Sequence, residues 1–120
     1  MAKLIYKLVT RAQWNEANAK GVFEGAPVDL ADGFIHFSTA DQVEETAAKH
    51  FKGIDDLLLL AVSVEKLESS AGQVTWEPSR GGALFPHLYH SMPLEAVSDK
   101  RALPMNSDGY HRFPQLQQEE

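Results

Sequence analysis

The chain has no cysteine, which removes disulfides, thiolate zinc sites and cysteine nucleophiles from consideration at once. It also has no long apolar run. The longest, Leu57 to Val62, falls well short of the roughly 20 residues that cross a bilayer. The opening Met1-Ala2-Lys3-Leu4-Ile5-Tyr6-Lys7 lacks the apolar stretch of a signal peptide. Cations are scarce as well: 11 Lys and Arg stand against 17 Asp and Glu, for a net charge of -6. A protein that grips a phosphate backbone needs a basic footprint, so duplex nucleic acid is not expected as a partner; with no run of bilayer length, neither is a membrane. A small anionic ligand stays open, because one arginine or a few backbone N–H groups can hold a phosphate on an acidic protein. Repeats, charge blocks and low-complexity segments are also missing. The expectation is one cytoplasmic domain over 1–120, with its core over about 4–103 and a peripheral or frayed tail over about 104–120. The oligomeric state is not legible.

What is present is an ordinary globular composition, 43% hydrophobic and 23% charged, enough for a core. Leu4 to Val9 reads as a first strand. Thr10-Arg11-Ala12-Gln13 is a capping box that opens a helix to about Lys20, which Gly21 stops. Trp14 is expected to anchor that helix to the core. Residues 21–33, with three glycines and Pro27, read as a long loop or irregular strand, a candidate lid. A strand over Phe34 to Ser38 follows. Thr39-Ala40-Asp41-Gln42 repeats the capping-box pattern before a second helix ending near Lys52 and Gly53. Leu57 to Val64 reads as a central strand buried on both faces, and Lys66 to Gly72 as a polar connection. Val74 to Glu77 reads as a strand, Pro78 to Gly82 as a turn, and Ala83 to His90 as a second arm. Pro86 cannot donate to a ladder, so that arm is expected at an edge, at a bulge, or as a strand starting after the proline. Leu94 to Val97 closes the set, with Arg101 to Leu103 as a possible extension. The expected fold class is α+β: mainly antiparallel strands in two small sheets around a cleft, with two helices near the N-terminal half.

Chemistry concentrates in Asp32-Gly33-Phe34-Ile35-His36-Phe37-Ser38-Thr39. A strand's period of two puts Phe34, His36 and Ser38 on one face and Ile35 and Phe37 on the other. An imidazole beside hydroxyls can orient a ligand or move a proton, although a core histidine bonded to a carbonyl, with Thr39 as a plain helix cap, satisfies the same pattern. Glu77, between Trp76 and Pro78, is a second candidate, with a solvent-facing strand glutamate as the alternative. Arg80 in Ser79-Arg80-Gly81-Gly82 could clamp a phosphate, or simply decorate a turn. His87, Tyr89 and His90 form a further group. His87 and His90 fall on opposite faces of a strand, so no metal site is expected from that pair. His36, Glu77 and His87 carry zinc- or iron-binding atoms but lack local ligand spacing, and Ser38 lacks the glycine-flanked turn of a hydrolase nucleophile.

The segments Gly33 to Gln42, Leu57 to Leu60, Trp76-Glu77 and Phe85-Pro86-His87-Leu88-Tyr89 together resemble the bacterial family catalogued as domain of unknown function 952, over roughly residues 4 to 103. The resemblance implies a fold like that of ADP-ribosyltransferases, in which two small sheets form a cleft for NAD. It implies that His36, with Ser38 and Thr39, takes the ribose and nicotinamide side of NAD. Glu77 or His87 would act on the ribose, and Tyr89 would offer an aromatic face. Phe37 stands where such transferases usually place Gly. The implied function is therefore an ADP-ribosyltransferase-like domain that binds NAD, ADP-ribose or a related nucleotide, with NAD as the candidate substrate; the residues' own spacing gives no metal site. His36, Glu77 and His87 would be catalytic, and Ser38, Thr39, Arg80 and Tyr89 would bind the ligand. A non-catalytic small-ligand module, or a phosphotransferase or hydrolase acting on a nucleotide or RNA end, are the alternatives.

Overall fold

The strand that needs most explaining is Leu57–Ser63, because every residue in it is buried. Such a run can only sit at the middle of a sheet covered on both faces. In the computed structural model, which describes residues 3–78 and 82–116, it does. The elements are β1 (Leu4–Thr10), α1 (Arg11–Lys20), β2 (Val22–Phe23), α2 (Pro27–Asp32), β3 (Ile35–His36), α3 (Val43–His50), β4 (Leu57–Ser63), α4 (Val64–Ser70), β5 (Thr75–Pro78), β6 (Leu84–Leu88), β7 (Met92–Pro93), a 3-10 turn at Leu94–Ala96, and β8 (Val97–Leu103). The sheet order is β1-β4-β8 in the first sheet, β2-β7 in a small second one and β3-β6-β5 in the third, and each named strand pair is antiparallel.

Alternation along β4 sorts its side chains into two cores. Leu58, Leu60 and Val62 join Ile5, Val9, Ile35, Leu88 and Met92 on the inner side. Leu57, Leu59 and Ala61 meet Tyr6, Leu8, Val43, Ala47 and Leu103 on the other, under α3. At about 1.5–3 kcal/mol for each large aliphatic side chain removed from water, these cores supply the main favourable term. Tyr6 and Ser38 exchange backbone N–H···O bonds at 2.7 and 2.8 Å, which ties the first sheet to the segment leaving β3. Among the described residues no helix is long and apolar enough to cross a membrane.

The mixed helix and strand class and the antiparallel pairing agree with expectation, but several elements do not. Among the described residues there are three sheets rather than two, and four α-helices rather than two. Residues 21–33 are not a loop: they hold β2 and α2, the latter with Pro27 at its start and Gly33 in the left-handed conformation (φ 87°) at its end. Lys66 to Gly72 is not a plain connection either. Ser63 caps α4 by accepting from the Lys66 N–H at 3.2 Å, and Leu67 is the one buried residue of that helix, too little to leave a period in the sequence.

Thr39 does not cap α3. The helix starts later, after Gln42, whose side chain accepts from the Thr39 N–H at 3.0 Å. Leu94–Ala96 is a 3-10 turn, and the last strand begins only at Val97. Part of the tail is folded down: His111 is buried and donates from Nε2 to the Ile54 carbonyl at 2.8 Å, while Phe113 and Leu116 pack on the outer core. Residues 117–120 lie outside the described residues.

Pro86 sits inside the central strand of its sheet, not at an edge. Pairing His36 with His87 sets Phe37 opposite Pro86, and the Phe37 N–H donates to the Pro86 carbonyl at 2.9 Å. Proline has no N–H to return the bond. The ladder between β3 and β6 ends there.

Candidate functional site

Directly paired residues of an antiparallel sheet share a face, as do residues two apart along a strand. His36 pairs with His87, and His87 pairs on its other side with Thr75. Glu77 lies two residues beyond Thr75, Phe34 two before His36, and Tyr89 two after His87. One face of the β3-β6-β5 sheet therefore gathers Phe34, His36, Glu77, His87 and Tyr89 from three separate stretches of chain.

The geometry is tight. Phe34 stacks on His87 with centroids 4.2 Å apart, and lies 4.6 Å from His36 and 5.1 Å from Tyr89. The two imidazoles meet edge to face at 5.5 Å. His87 Nδ1 is 2.6 Å from Glu77 Oε1, and the Tyr89 hydroxyl donates to both Glu77 oxygens at 2.8 and 3.0 Å. The hydrogen bonds from His87 and then Tyr89 hold the Glu77 carboxyl below its usual range. The same contact pushes the Tyr89 phenol up. A carboxylate only accepts, so His87 carries its proton on Nδ1.

His36 is held differently. Its Nδ1 lies 2.6 Å from Asp29 Oδ1, and its Nε2 lies 2.9 Å from Asp32 Oδ2. Asp29 is only 1% exposed and is surrounded by donors. The backbone N–H of Ala26 reaches it at 2.8 Å, that of His36 at 3.1 Å, and the Lys7 ammonium at 2.9 and 3.1 Å. Burial alone pushes the Asp29 carboxyl up, but the His36 bond, the Lys7 charge and the Ala26 N–H together outweigh it and bring it down to about 2. Lys7 moves against what pairing alone would do. Its burial lowers it more than the Asp29 charge and hydrogen bond raise it, because Asp29 is its one hydrogen-bonding partner among the described residues, while Asp29 has several. Asp29 is thus firmly an anion.

An open depression of about 240 Å³ borders this cluster without containing all of it. Asp29, Phe34 and Tyr89 line it together with Glu24, Leu30 and His90, while His36, Glu77 and His87 do not. Ile35 and Leu88, from the opposite face of the pairing, also line it, so the depression lies beyond the end of the paired strands.

The family model described as "Protein of unknown function (DUF952)" matches residues 8–100. The chain belongs to DUF952. It is similar to the crystal structure of protein CC0527 from Caulobacter crescentus, 49% identical, with a TM-score of 0.85 over 92% of this chain and 94% of that one. The solution NMR structure of CC0527 is 50% identical, with a TM-score of 0.76 over 89% of this chain and 90% of that one. No curated protein matches the sequence.

Of the residues singled out in this DUF952 sequence, the fold brings together His36, Glu77, His87 and Tyr89. Ser38 is buried, and its hydroxyl is 3.2 Å from that of Thr46 on α3. Thr39 sits in the turn before α3. Arg80, with Ser79 and Gly81, lies outside the described residues. Lys7 and Asp29 join the cluster without having been singled out, and Asp32 and Phe34, which lie within the stretch read as carrying the chemistry, join it without having been given a role. Two signals for them existed. Lys7 alternates with Ile5 and Val9, so it occupies a place on an apolar stripe, and Asp29 follows Pro27 at the third position of a helix start, where a carboxylate reaches back to the backbone.

Proposed function

We propose that this chain is an ADP-ribosyltransferase-like domain that binds NAD, ADP-ribose or a related nucleotide against the face carrying His36, His87 and Glu77. The observation that carries the reading is the pair of imidazoles 5.5 Å apart, each with Nδ1 on a carboxylate oxygen at 2.6 Å and both against the Phe34 ring. Oriented imidazoles and a phenol suit ribose hydroxyls, and the Phe34 and Tyr89 rings suit a flat heterocycle. In transfer from NAD the bond between ribose C1′ and nicotinamide breaks, the electron pair leaves with nicotinamide, and positive charge develops on the ribose. Glu77, held ionised by its two donors, is the group in this reading that stabilises that charge.

The charges around the cluster support a sugar more than a phosphate. Asp29, Asp32 and Glu77 are acidic, and Lys7 is buried against Asp29. Arg80 remains the residue assigned to the phosphates, with Thr39 beside the entry of α3 as a further polar contact. The occupied state of both Glu77 oxygens and of His36 Nε2 favours a second reading, a module that binds the ligand without turning it over.

The test is an amide chemical-shift titration with NAD, ADP-ribose and nicotinamide, coupled to a nicotinamide-release assay on the wild type, His36→Ala and Glu77→Ala. Saturable shifts at Phe34, His36, Glu77 and His87 with release lost in both variants fit the transferase. Shifts without release fit the binding module, and no shifts at millimolar ligand end both nucleotide readings.

A further inference from the structure

Asp29 and Asp32 stand at the two ends of α2 and take the two nitrogens of one imidazole, yet their surroundings differ completely. Asp29 is buried, bridged through both oxygens by Lys7 and tied to the backbone at Ala26 and His36. Asp32 has a side chain 48% exposed and can turn into water at little cost. The ring between them is one-third exposed and lies against Phe34. One side of His36 is anchored, and the other is merely occupied.

Lys7 is the costly part of this arrangement. It takes a place on β1 between Ile5 and Val9, both core residues, and is itself 6% exposed. A buried ion pair is seldom more stabilising than apolar residues of the same volume, and the rest of that core is aliphatic and aromatic. The pair is better accounted for by what it does to Asp29: an ammonium on both oxygens fixes the plane of the carboxylate, and the carboxylate then fixes the ring.

We propose that Lys7 is a positioning residue that acts through Asp29 to hold His36 with Nδ1 inward and Nε2 outward, and that Asp32 is the exchangeable occupant whose place at Nε2 a ligand hydroxyl takes. This rests on the reading of His36 as a ligand-binding group. The charged and titratable groups around the ring are Asp29, Asp32 and His87, with Lys7 behind Asp29. Because a carboxylate only accepts, Nδ1 donates to the fixed Asp29, which leaves Nε2 turned toward the exposed Asp32.

The experiment reads the ring-nitrogen resonances of His36 by long-range nitrogen–proton correlation on the full chain, in Lys7→Met, Asp29→Asn, their double variant and Asp32→Asn. Lys7→Met is expected to shift the Nδ1 resonance in the presence of Asp29 and to add nothing once Asp29 is Asn. An equal shift in both backgrounds overturns the role of Lys7, since it shows a charge acting without the carboxylate. Asp32→Asn, at an exposed position, keeps the test standing if a core variant fails to fold: it is expected to move Nε2 and leave Nδ1 in place, and equal movement of both overturns the asymmetry. Titration of Asp32→Ala with ADP-ribose is expected to show several-fold tighter binding than wild type; weaker binding overturns the exchange. If ADP-ribose and NAD bind neither protein, the nucleotide reading fails, while the ring-nitrogen results still decide the positioning of His36.

Discussion

The two three-stranded sheets of this chain are built from the same alternation and put it to opposite uses. In β1-β4-β8, both sides of the central strand are packed with Leu, Val and Ala. In β3-β6-β5, the central strand buries Leu88 and Pro86 toward one side and turns His87 toward Glu77, His36 and Phe34 on the other. The first sheet is held by area removed from water, and its exposed polar side chains lie along the edge strand β8. The second keeps imidazoles and carboxylates next to each other, where each must be satisfied by a partner. Lys7 crosses between them: it belongs to the apolar sheet and serves the polar one.

That contrast can be broken most sharply at the crossing point. Asp29→Ala strands the Lys7 ammonium in the core and is expected to cost roughly 3–5 kcal/mol in a urea melt; a loss no larger than that of a surface change would show that the pair is not held as described. Leu60→Ala tests the apolar sheet, with an expected loss of about 2–5 kcal/mol and unchanged ring resonances at His36 and His87. Movement of those rings would mean that the two regions are coupled.

Acid separates the sheets more gently. The Asp29 carboxyl is lowered from an ordinary 3.8 to about 2, so its stabilising contribution is whole above about pH 4 and is lost as the pH falls through about 2. The expected loss is about 2 kcal/mol, read from urea melts at stepped pH, and Asp29→Asn should remove that part of the acid dependence. The smallest effect belongs to Glu77→Gln. It removes the carboxylate that raises the Tyr89 phenol, so an ultraviolet titration should show Tyr89 ionising at lower pH than in the wild type, with the melt unchanged.

Local rules read well where the signal is local. The Thr10 to Gln13 capping box is formed, with bonds at 2.9 and 3.1 Å, and Gly21 is left-handed (φ 91°). The continuous apolar run is the central strand. The helix α2 was hidden because its pattern is inside out: Val28 and Leu30 are 57% and 64% exposed, while the buried residue is Asp29. A periodicity argument that assumes apolar residues face inward cannot find such a helix. Pro86 misled in a similar way, since its missing donor falls where β3 ends and costs the sheet no continuing ladder.

From the sequence alone followed the exclusion of cysteine chemistry, the caps of α1, the buried central strand, and the parity that sets Glu77 apart from Trp76 and His87 apart from Leu88. These depend on neighbours a few residues away, through the side-chain period of strands and the free N–H groups of helix ends. The tertiary structure decided that His36 lies opposite His87 and that Lys7 meets Asp29 across 22 residues of chain. Strand pairing and buried ion pairs are contacts between distant segments, chosen by the burial of the whole core, and no local pattern carries them.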